Sequence, residues 1–191
     1  MARAVWRGHI SFGLVSVPVS LYAAENRTDL QLHMLDSRDH SRVRYERVNE
    51  ETGQEVPWDV IVRGYEYSDG SYVVLSDEEL KRAAPEATKT IDIEAFVAGE
   101  EIDPTFYDKP YFLEPGKGSK KGYVLLHHAL AESKRVGIAR VVIRTRQYIA
   151  ALMPHNDVLM LILLRYGQEL RSAADLDIPK GGAKANGVTA Q

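Results

Sequence analysis

The chain has 191 residues, a formal net charge of −3 and a charged fraction of 27%, a composition typical of a soluble globular domain. It contains no cysteine, which excludes disulfides and thiolate metal sites and is compatible with the cytoplasm. The longest apolar run, Val158 to Leu164, is far shorter than the roughly 20 residues that a membrane-spanning helix needs. Polar residues interrupt the stretch that follows Arg3 and Arg7, so we predict no export signal and no membrane partner.

Short strands and turns are predicted for the first half of the chain. Alternation of apolar and polar residues between positions 5 and 24 predicts two short strands or one bent strand, with a β-bulge near Gly13. Pro18 lacks a backbone N–H, so we expect it at a sheet edge or an irregular position. Leu30 to Leu35 and Tyr72 to Leu75 are further strand candidates. The pattern is typical of a β-barrel or a β-sandwich.

Helices are predicted at three places. A short helix can run from Pro57 to Val62, since proline fits the first turn. Ser76 and Glu79 have the spacing of a capping box, which predicts a second short helix. The longest helix is predicted after Ser119, which we expect to cap it. Its core-facing residues recur at helical spacing and are Tyr123, Leu126, His127 and Leu130.

The chain is organised around the segment from Lys134 to Pro154. Its first half alternates with a period of two, which predicts a strand. The apolar face carries Ala139, Val141 and Ile143, and the other face carries Arg140, Arg144 and Arg146. Gln147 and Tyr148 are predicted to reverse the chain into a second strand. A charged outer face is usually only solvated, whereas a row of guanidinium groups can also bind phosphates, and both interpretations remain open.

Charge is segregated along the chain, although its net value is slightly negative. Residues 117–148 contain one acid, Glu132, and eight basic residues: Lys117, Lys120, Lys121, Lys134, Arg135, Arg140, Arg144 and Arg146. Residues 76–108 are rich in acids. Any nucleic-acid site would therefore depend on local charge rather than on a basic chain. Val158 to Tyr166 is apolar on both faces, which predicts a central strand and a candidate subunit interface.

The sequence offers only weak candidates for a set of catalytic residues. His127 and His128 are neighbours on the predicted helix, so at most one of them can face a given site. His33 and His40 lack the spacing of a known metal motif. We find no nucleophile elbow, phosphate-binding loop or dinucleotide-binding loop. We therefore predict that the chain is not an enzyme and has no cofactor or metal.

Seven motifs follow one another along the chain. They are W-x-G-x-I-S-F-G-L-V-x-V-P-V (6–19), V-P-x-x-x-I-V-x-G-Y-E (56–66), Y-V-V-L-x-D-E-E-L (72–80), T-I-D-I-E-x-F-V (90–97), E-I-D-P (101–104), D-K-P-Y-x-L-x-P (108–115) and I-A-R-V-V-I-R-T-R (138–146). In this order and spacing, the chain from Ala2 to about Pro179 resembles the prokaryotic Ku family, the DNA-end-binding proteins of non-homologous end joining.

The resemblance implies a mainly β chain with a few helices, an antiparallel β-barrel core and a long hairpin arm arching over DNA. It implies a ring-forming homodimer that binds double-stranded DNA ends and recruits an ATP-dependent DNA ligase of the ligase D type in the nucleoid-associated cytoplasm. The core would span residues 1–179, with the arch at about 33–62 and a flexible tail at 180–191. The DNA-binding residues would be Arg38, Arg42, Arg44, Arg47, Lys134, Arg140, Arg144 and Arg146. The candidate dimer interface consists of Leu159, Leu161 and Leu163.

Two features differ from the family pattern. Relatives can carry two cysteines in the arch, where this chain has Asn49 and Thr52, so no metal is expected there. Relatives also continue into a helical segment and a lysine-rich tail, so the chain resembles a core-only form. Three alternatives remain: a barrel that binds single-stranded nucleic acid by aromatic stacking, an enzyme that uses His127 or His33, and a scaffold for an acidic protein partner.

Overall fold

The computed structural model describes residues 3–26, Leu30 and residues 32–179. Within these residues the chain forms nine strands and two α-helices. In chain order they are β1 (Trp6–Phe12), β2 (Val15–Ala23), β3 (Arg63–Ser68), β4 (Ser71–Leu75), α1 (Asp77–Ala83), β5 (Thr90–Ala98), β6 (Tyr107–Pro115), α2 (Lys120–Ser133), β7 (Arg135–Ile143), β8 (Arg146–His155) and β9 (Val158–Leu164). The expected tail at residues 180–191 lies outside the described part of the chain.

Seven strands close into a barrel in the order β1-β2-β6-β9-β8-β7-β5. Neighbouring strands are antiparallel, except that β5 and β1 run parallel and close the barrel with Ile91 opposite Ile10. Gly8 allows this closure, because a Cβ at Gly8 would overlap the carbonyl oxygen of Lys89. Strands β3 and β4 form a separate two-stranded sheet. The prediction of a mainly β chain with a barrel core is confirmed.

The inward-facing side chains of the barrel strands form the core. Ile10, Leu21, Ile91 and Leu152 are completely buried, and burial of a large aliphatic side chain contributes about 1.5–3 kcal/mol. The residues predicted to face inward on β7, Ala139, Val141 and Ile143, are 1%, 1% and 9% exposed. The predicted inward face of β7 is therefore confirmed, whereas the predicted outer face is not, because β7 ends at Ile143, before Arg144 and Arg146.

Several local predictions need correction. Gly13 and Leu14 form a tight turn between β1 and β2 rather than a bulge, and Gly13 has a φ of 55°. Pro18 lies inside β2, but the pairing of β2 with β6 begins only after it, at Val19 opposite Pro115. The chain therefore needs no hydrogen-bond donor at Pro18 on the β6 side.

Two other elements also differ from expectation. The reversal between β7 and β8 occurs at Arg144 and Thr145, with Ile143 opposite Arg146, so Gln147 and Tyr148 are strand residues. The described residues of the region 30–35 form no strand and contribute only an isolated bridge between Leu35 and Arg42. Among the described residues, no sheet includes this region, and an isolated strand is unstable in water.

Helix α2 packs against one end of the barrel. Tyr123 is 5% exposed, and its hydroxyl donates to the Leu113 carbonyl (2.7 Å) and accepts from the Leu159 amide (2.6 Å). Burial raises the pKa of Tyr123. Ser119 stands at the N-cap position, but its hydroxyl donates to the carbonyls of Pro18 and Gly116 rather than capping the helix.

Replacement of Tyr123 by phenylalanine is expected to destabilise the barrel by about 1–3 kcal/mol, since a buried carbonyl and a buried amide lose their partner. Chemical denaturation of the Tyr123→Phe variant measures the change. Tyr65→Phe, at an exposed tyrosine, is the matched control and is expected to leave the unfolding midpoint unchanged. Equal midpoints for both variants would contradict a structural role for the Tyr123 hydroxyl.

Candidate nucleic-acid interface

A long part of the chain between β2 and β5 lies outside the barrel core. None of residues 32–89, here called the exposed segment, is buried. The segment contains β3, β4 and α1, and its Ser76–Glu79 capping box is formed as predicted. Large apolar side chains are nevertheless frequent in it, and Tyr45 and Trp58 are 85% and 72% exposed. An apolar surface of this kind is unusual for a monomeric protein and is typical of an interaction region.

Local hydrogen bonds shape the first half of the exposed segment. Backbone bonds join Val43 to Met34 and Val56 to Arg47, which closes two successive turns. The helix predicted at residues 57–62 is a single 3₁₀ turn, Trp58–Val60. These contacts are all local in sequence, and they leave the large apolar side chains of the segment exposed to solvent.

Four of the predicted DNA-binding arginines lie in this segment. The guanidinium of Arg38 binds the Asp36 carboxylate through two nitrogens (2.6 and 2.9 Å) and lowers the pKa of Asp36. The Arg47 guanidinium carbon lies 4.0 Å from the centre of the Trp58 ring, a cation–π contact. Arg42 and Arg44 are exposed and form no ion pair with any described residue. Of the four, these two are the freest to meet a polyanion.

Arg144 lies in the turn between β7 and β8, and Arg146 is the first residue of β8. Both are exposed, and Arg144 adopts a φ of 60°, which projects it from the turn rather than from a strand face. A cleft of about 460 Å³ separates the Arg146 side of this turn from Ala83 and Pro85 of the exposed segment. The turn and the exposed segment therefore meet at the same end of the barrel.

Arg140 does not share this environment. It lies on the outer face of β7 opposite Asp92 of β5, and its guanidinium pairs with the Glu94 carboxylate at 2.6 Å. A second cleft is lined by Arg140 together with Asp92, Glu94 and Glu86, so acids outnumber the single arginine there. The alternation of residues 90–97 indicates that Asp92 and Glu94 share one face of a strand. Only the closed barrel shows that this face lies beside Arg140.

Lys134 is remote from the β7–β8 turn. It ends helix α2 in the left-handed conformation and directly precedes β7, whereas Arg144 directly follows that strand. Nine strand residues separate them, which is about 30 Å at the usual rise. The structure therefore does not bring Lys134, Arg140 and Arg144 together as one basic row.

The predicted interface residues on β9 need correction. Leu159, Leu161 and Leu163 are 0%, 0% and 4% exposed, because they face the barrel core. Their side chains are therefore not accessible to a partner. The outer face of β9 and its neighbours is also apolar and is partly exposed; it consists of Pro110, Phe112, Ile149, Met153, Met160 and Ile162, and is here called the outer apolar face.

The histidines have structural or surface roles. His127 contacts the carbonyl of Asn156 through Nε2 at 2.8 Å, which ties α2 to the β8–β9 turn. His128 lies 3.3 Å from the Glu132 carboxylate on the same helix. His33 and His40 are exposed. Among the described residues, no cluster of three or more histidine or acidic side chains could hold a metal, and no helix is long and apolar enough to cross a membrane.

Comparison with known proteins decides the family. Residues 11–191 match the family model described as the Ku70/Ku80 beta-barrel domain. The non-homologous end joining protein Ku of Coxiella burnetii is 52% identical over 98% of this chain. The chain belongs to the Ku family. The corresponding Ku protein of Opitutus terrae is 49% identical over 95% of the chain.

The match covers only part of these Ku relatives. The chain spans 69% of the Coxiella burnetii protein and 66% of the Opitutus terrae protein. Among solved structures, the SPOC domain of human PHD-finger protein 3 aligns over 85% of the chain and 97% of that domain, with 12% identity and a TM-score of 0.42. That similarity is too low to support a functional inference.

Proposed function

We propose that the chain binds double-stranded DNA ends without sequence preference, as a homodimer that encircles the duplex during non-homologous end joining. The names of its relatives support this role, since they are non-homologous end joining proteins. Contacts from arginine and lysine to phosphates supply affinity without reading the sequence. In this proposal the chain is not an enzyme and holds the ends for another protein.

The observation that carries the proposal is the exposed segment. Fixing a residue in one conformation costs roughly 1–2 kcal/mol, and no side chain of residues 32–89 is fully buried, so burial within the segment offsets little of this cost. Cations that form no ion pair with a described residue, such as Arg42 and Arg44, alternate there with exposed apolar residues, such as Val43 and Tyr45. A surface of this kind fits two ligands at once, a polyanion for the cations and a second protein chain for the apolar groups.

The β7–β8 turn extends the proposed DNA contact onto the barrel. Arg144 and Arg146 lie at the barrel end from which the exposed segment departs and to which it returns, because β2 ends and β5 begins there. A duplex between this barrel end and the segment would meet cations on both sides. This is the proposed form of the arch over DNA.

A second copy of the chain is the proposed cover for the outer apolar face. The face lies on three adjacent strands, β6, β9 and β8, so it is continuous. A two-fold dimer uses one patch twice, and apolar residues are enriched in such interfaces. Two exposed segments brought together by this contact would close the ring.

The finer parts of the role follow from the family resemblance. We propose that the DNA-bound dimer recruits and stimulates an ATP-dependent ligase of the ligase D type, which supplies the chemistry of joining. The site of action would be the nucleoid in the cytoplasm.

The test of encirclement compares one duplex in linear form and as a covalently closed circle at equal salt. A ring admits a free end and excludes a circle, so we expect tight binding of the linear duplex only. Cutting the circle once in the presence of the protein should restore binding, which controls for sequence and length. Equal affinity for both forms would contradict a closed ring and would leave an open basic groove.

A single-stranded ligand is the second candidate, favoured by the aromatic side chains of the exposed segment. Tyr65, Tyr67 and Tyr72 are 63%, 68% and 62% exposed, and bases stack on such rings. Competition of single-stranded against duplex DNA of equal length separates the two functions. Preferential displacement by the single strand would favour stacking.

A further inference from the structure

An apolar groove runs along helix α2 at the end of the barrel. The helix side of the groove is lined by one face of α2, which carries Gly122, Leu125, Leu126, Ala129, Leu130 and Ser133. The opposite wall is formed by the end of β1, the start of β2 and β5, through Phe12, Val15 and Phe96. From Gly122 to Ser133 the helix rises about 16 Å, and the groove holds about 420 Å³. These dimensions suit about three turns of a second helix.

Several of the apolar side chains that line the groove are exposed to solvent. Leu125 is 70% exposed, and Phe12 and Val15 are 44% and 47% exposed. Leu14, in the turn between β1 and β2, is fully exposed. Phe12 and Phe96 meet edge to face at 4.8 Å between ring centres, so the wall opposite the helix is held in place. The groove is therefore formed before any ligand arrives.

The ends of the groove are basic. Lys121 precedes Gly122 at one end, and Lys134 and Arg135 follow Ser133 at the other, with Arg135 lining the groove itself. None of these three cations forms an ion pair with a described residue. The only acid of α2 is Glu132, which pairs with His128.

We propose that this groove docks an acidic amphipathic helix of a partner protein. Leucine-like side chains at helical spacing would enter the groove, and carboxylates at the two ends of that helix would meet Lys121 and Arg135. DNA does not fit the apolar walls, because phosphates and sugars would lose water without gaining polar partners. The basic ends likewise repel a basic peptide.

The groove is remote from the proposed DNA contact. Arg135 is the first residue of β7, and Arg144 follows its last, so the two surfaces lie about 30 Å apart at opposite ends of the strand. A partner in the groove would leave the duplex untouched. The inference therefore stands independently of the proposed DNA binding.

The probe is a fluorescein-labelled 20-residue peptide with leucine at helical spacing and glutamate on its other face, titrated against the full chain by anisotropy. We expect saturable binding of one peptide per chain. Leu125→Gln and Arg135→Glu are each expected to weaken it at least tenfold. Val124→Gln is the matched control on the same helix, since Val124 is 63% exposed but does not line the groove.

Four results would overturn the inference. The first is the absence of saturable binding of the glutamate peptide. The second is equal binding of a peptide with lysine in place of every glutamate. The third is displacement of the peptide by linear duplex DNA, which would make the surface a nucleic-acid site. The fourth is a fall in molar mass of Leu125→Gln by light scattering, which would assign the groove to a second copy of the chain. Thermal unfolding at the wild-type temperature verifies that each variant is folded.

Discussion

Replacing Arg144 and Arg146 together with alanine is expected to weaken duplex binding at about 0.1 M salt, by roughly tenfold for each phosphate left without its arginine. Both side chains are exposed and form no ion pair with the described residues, so their charge is available to phosphates. The slope of log K against log salt should decrease by up to about 1.8 per chain. The weakening should be the same for unrelated DNA sequences, because phosphates carry no sequence information.

Arg140→Ala is the matched control for that experiment. Arg140 already pairs with Glu94 and faces Asp92, so its removal should change the slope much less. Glu94→Gln releases Arg140 from this pair and is expected to raise affinity. Titrations at four salt concentrations distinguish the variants. An unchanged slope in the Arg144 and Arg146 double variant would show that these arginines are only solvated.

Aspartate at Met160 or Ile162 is expected to convert the dimer to monomers and to abolish stable retention on linear duplex DNA. Both residues lie on the outer apolar face and are partly exposed, so the monomer tolerates the charge. In the dimer the same carboxylate would be buried without a partner, which costs several kcal/mol. Light scattering after size exclusion measures the mass, and circular dichroism verifies the fold.

Two comparisons make the interface test specific. Leu161→Asp places the charge inside the barrel, where the side chain is completely buried, and is expected to prevent folding altogether. Val124→Asp, at an exposed position of helix α2, should leave the dimer intact. A full-sized dimer in the Met160→Asp and Ile162→Asp variants would exclude the outer apolar face as the subunit contact.

The elements that depend on local sequence were the most predictable. The Ser76–Glu79 capping box satisfies backbone groups within one turn, so its residues suffice to predict it. The inward face of β7 follows from the period of two, because alternate side chains must point to opposite faces. The same reasoning identified β9 as a central strand, although it assigned Leu159, Leu161 and Leu163 to the interface instead of the core.

Features that depend on distant partners were not predictable. The parallel contact of β1 with β5 joins residues about eighty positions apart, such as Ile10 and Ile91, and no local pattern specifies it. No local pattern in the sequence predicts an acidic partner for Arg140, and only the barrel places Glu94 beside it. The turn at Arg144 and Thr145 depended on the register of β7 with β8, which side-chain packing inside the barrel sets.

The sequence by itself determined the family, the mainly β character and the segregation of charge, because these depend on motif order, period and composition. Only the tertiary structure decided which apolar face is core and which is outer surface, since barrel closure selects one face of each strand for burial. It also decided which cations are paired among the described residues: Arg140 meets Glu94 only because β7 and β5 lie side by side in register. The candidate surfaces for DNA, for a second copy and for a partner helix are consequences of that closure.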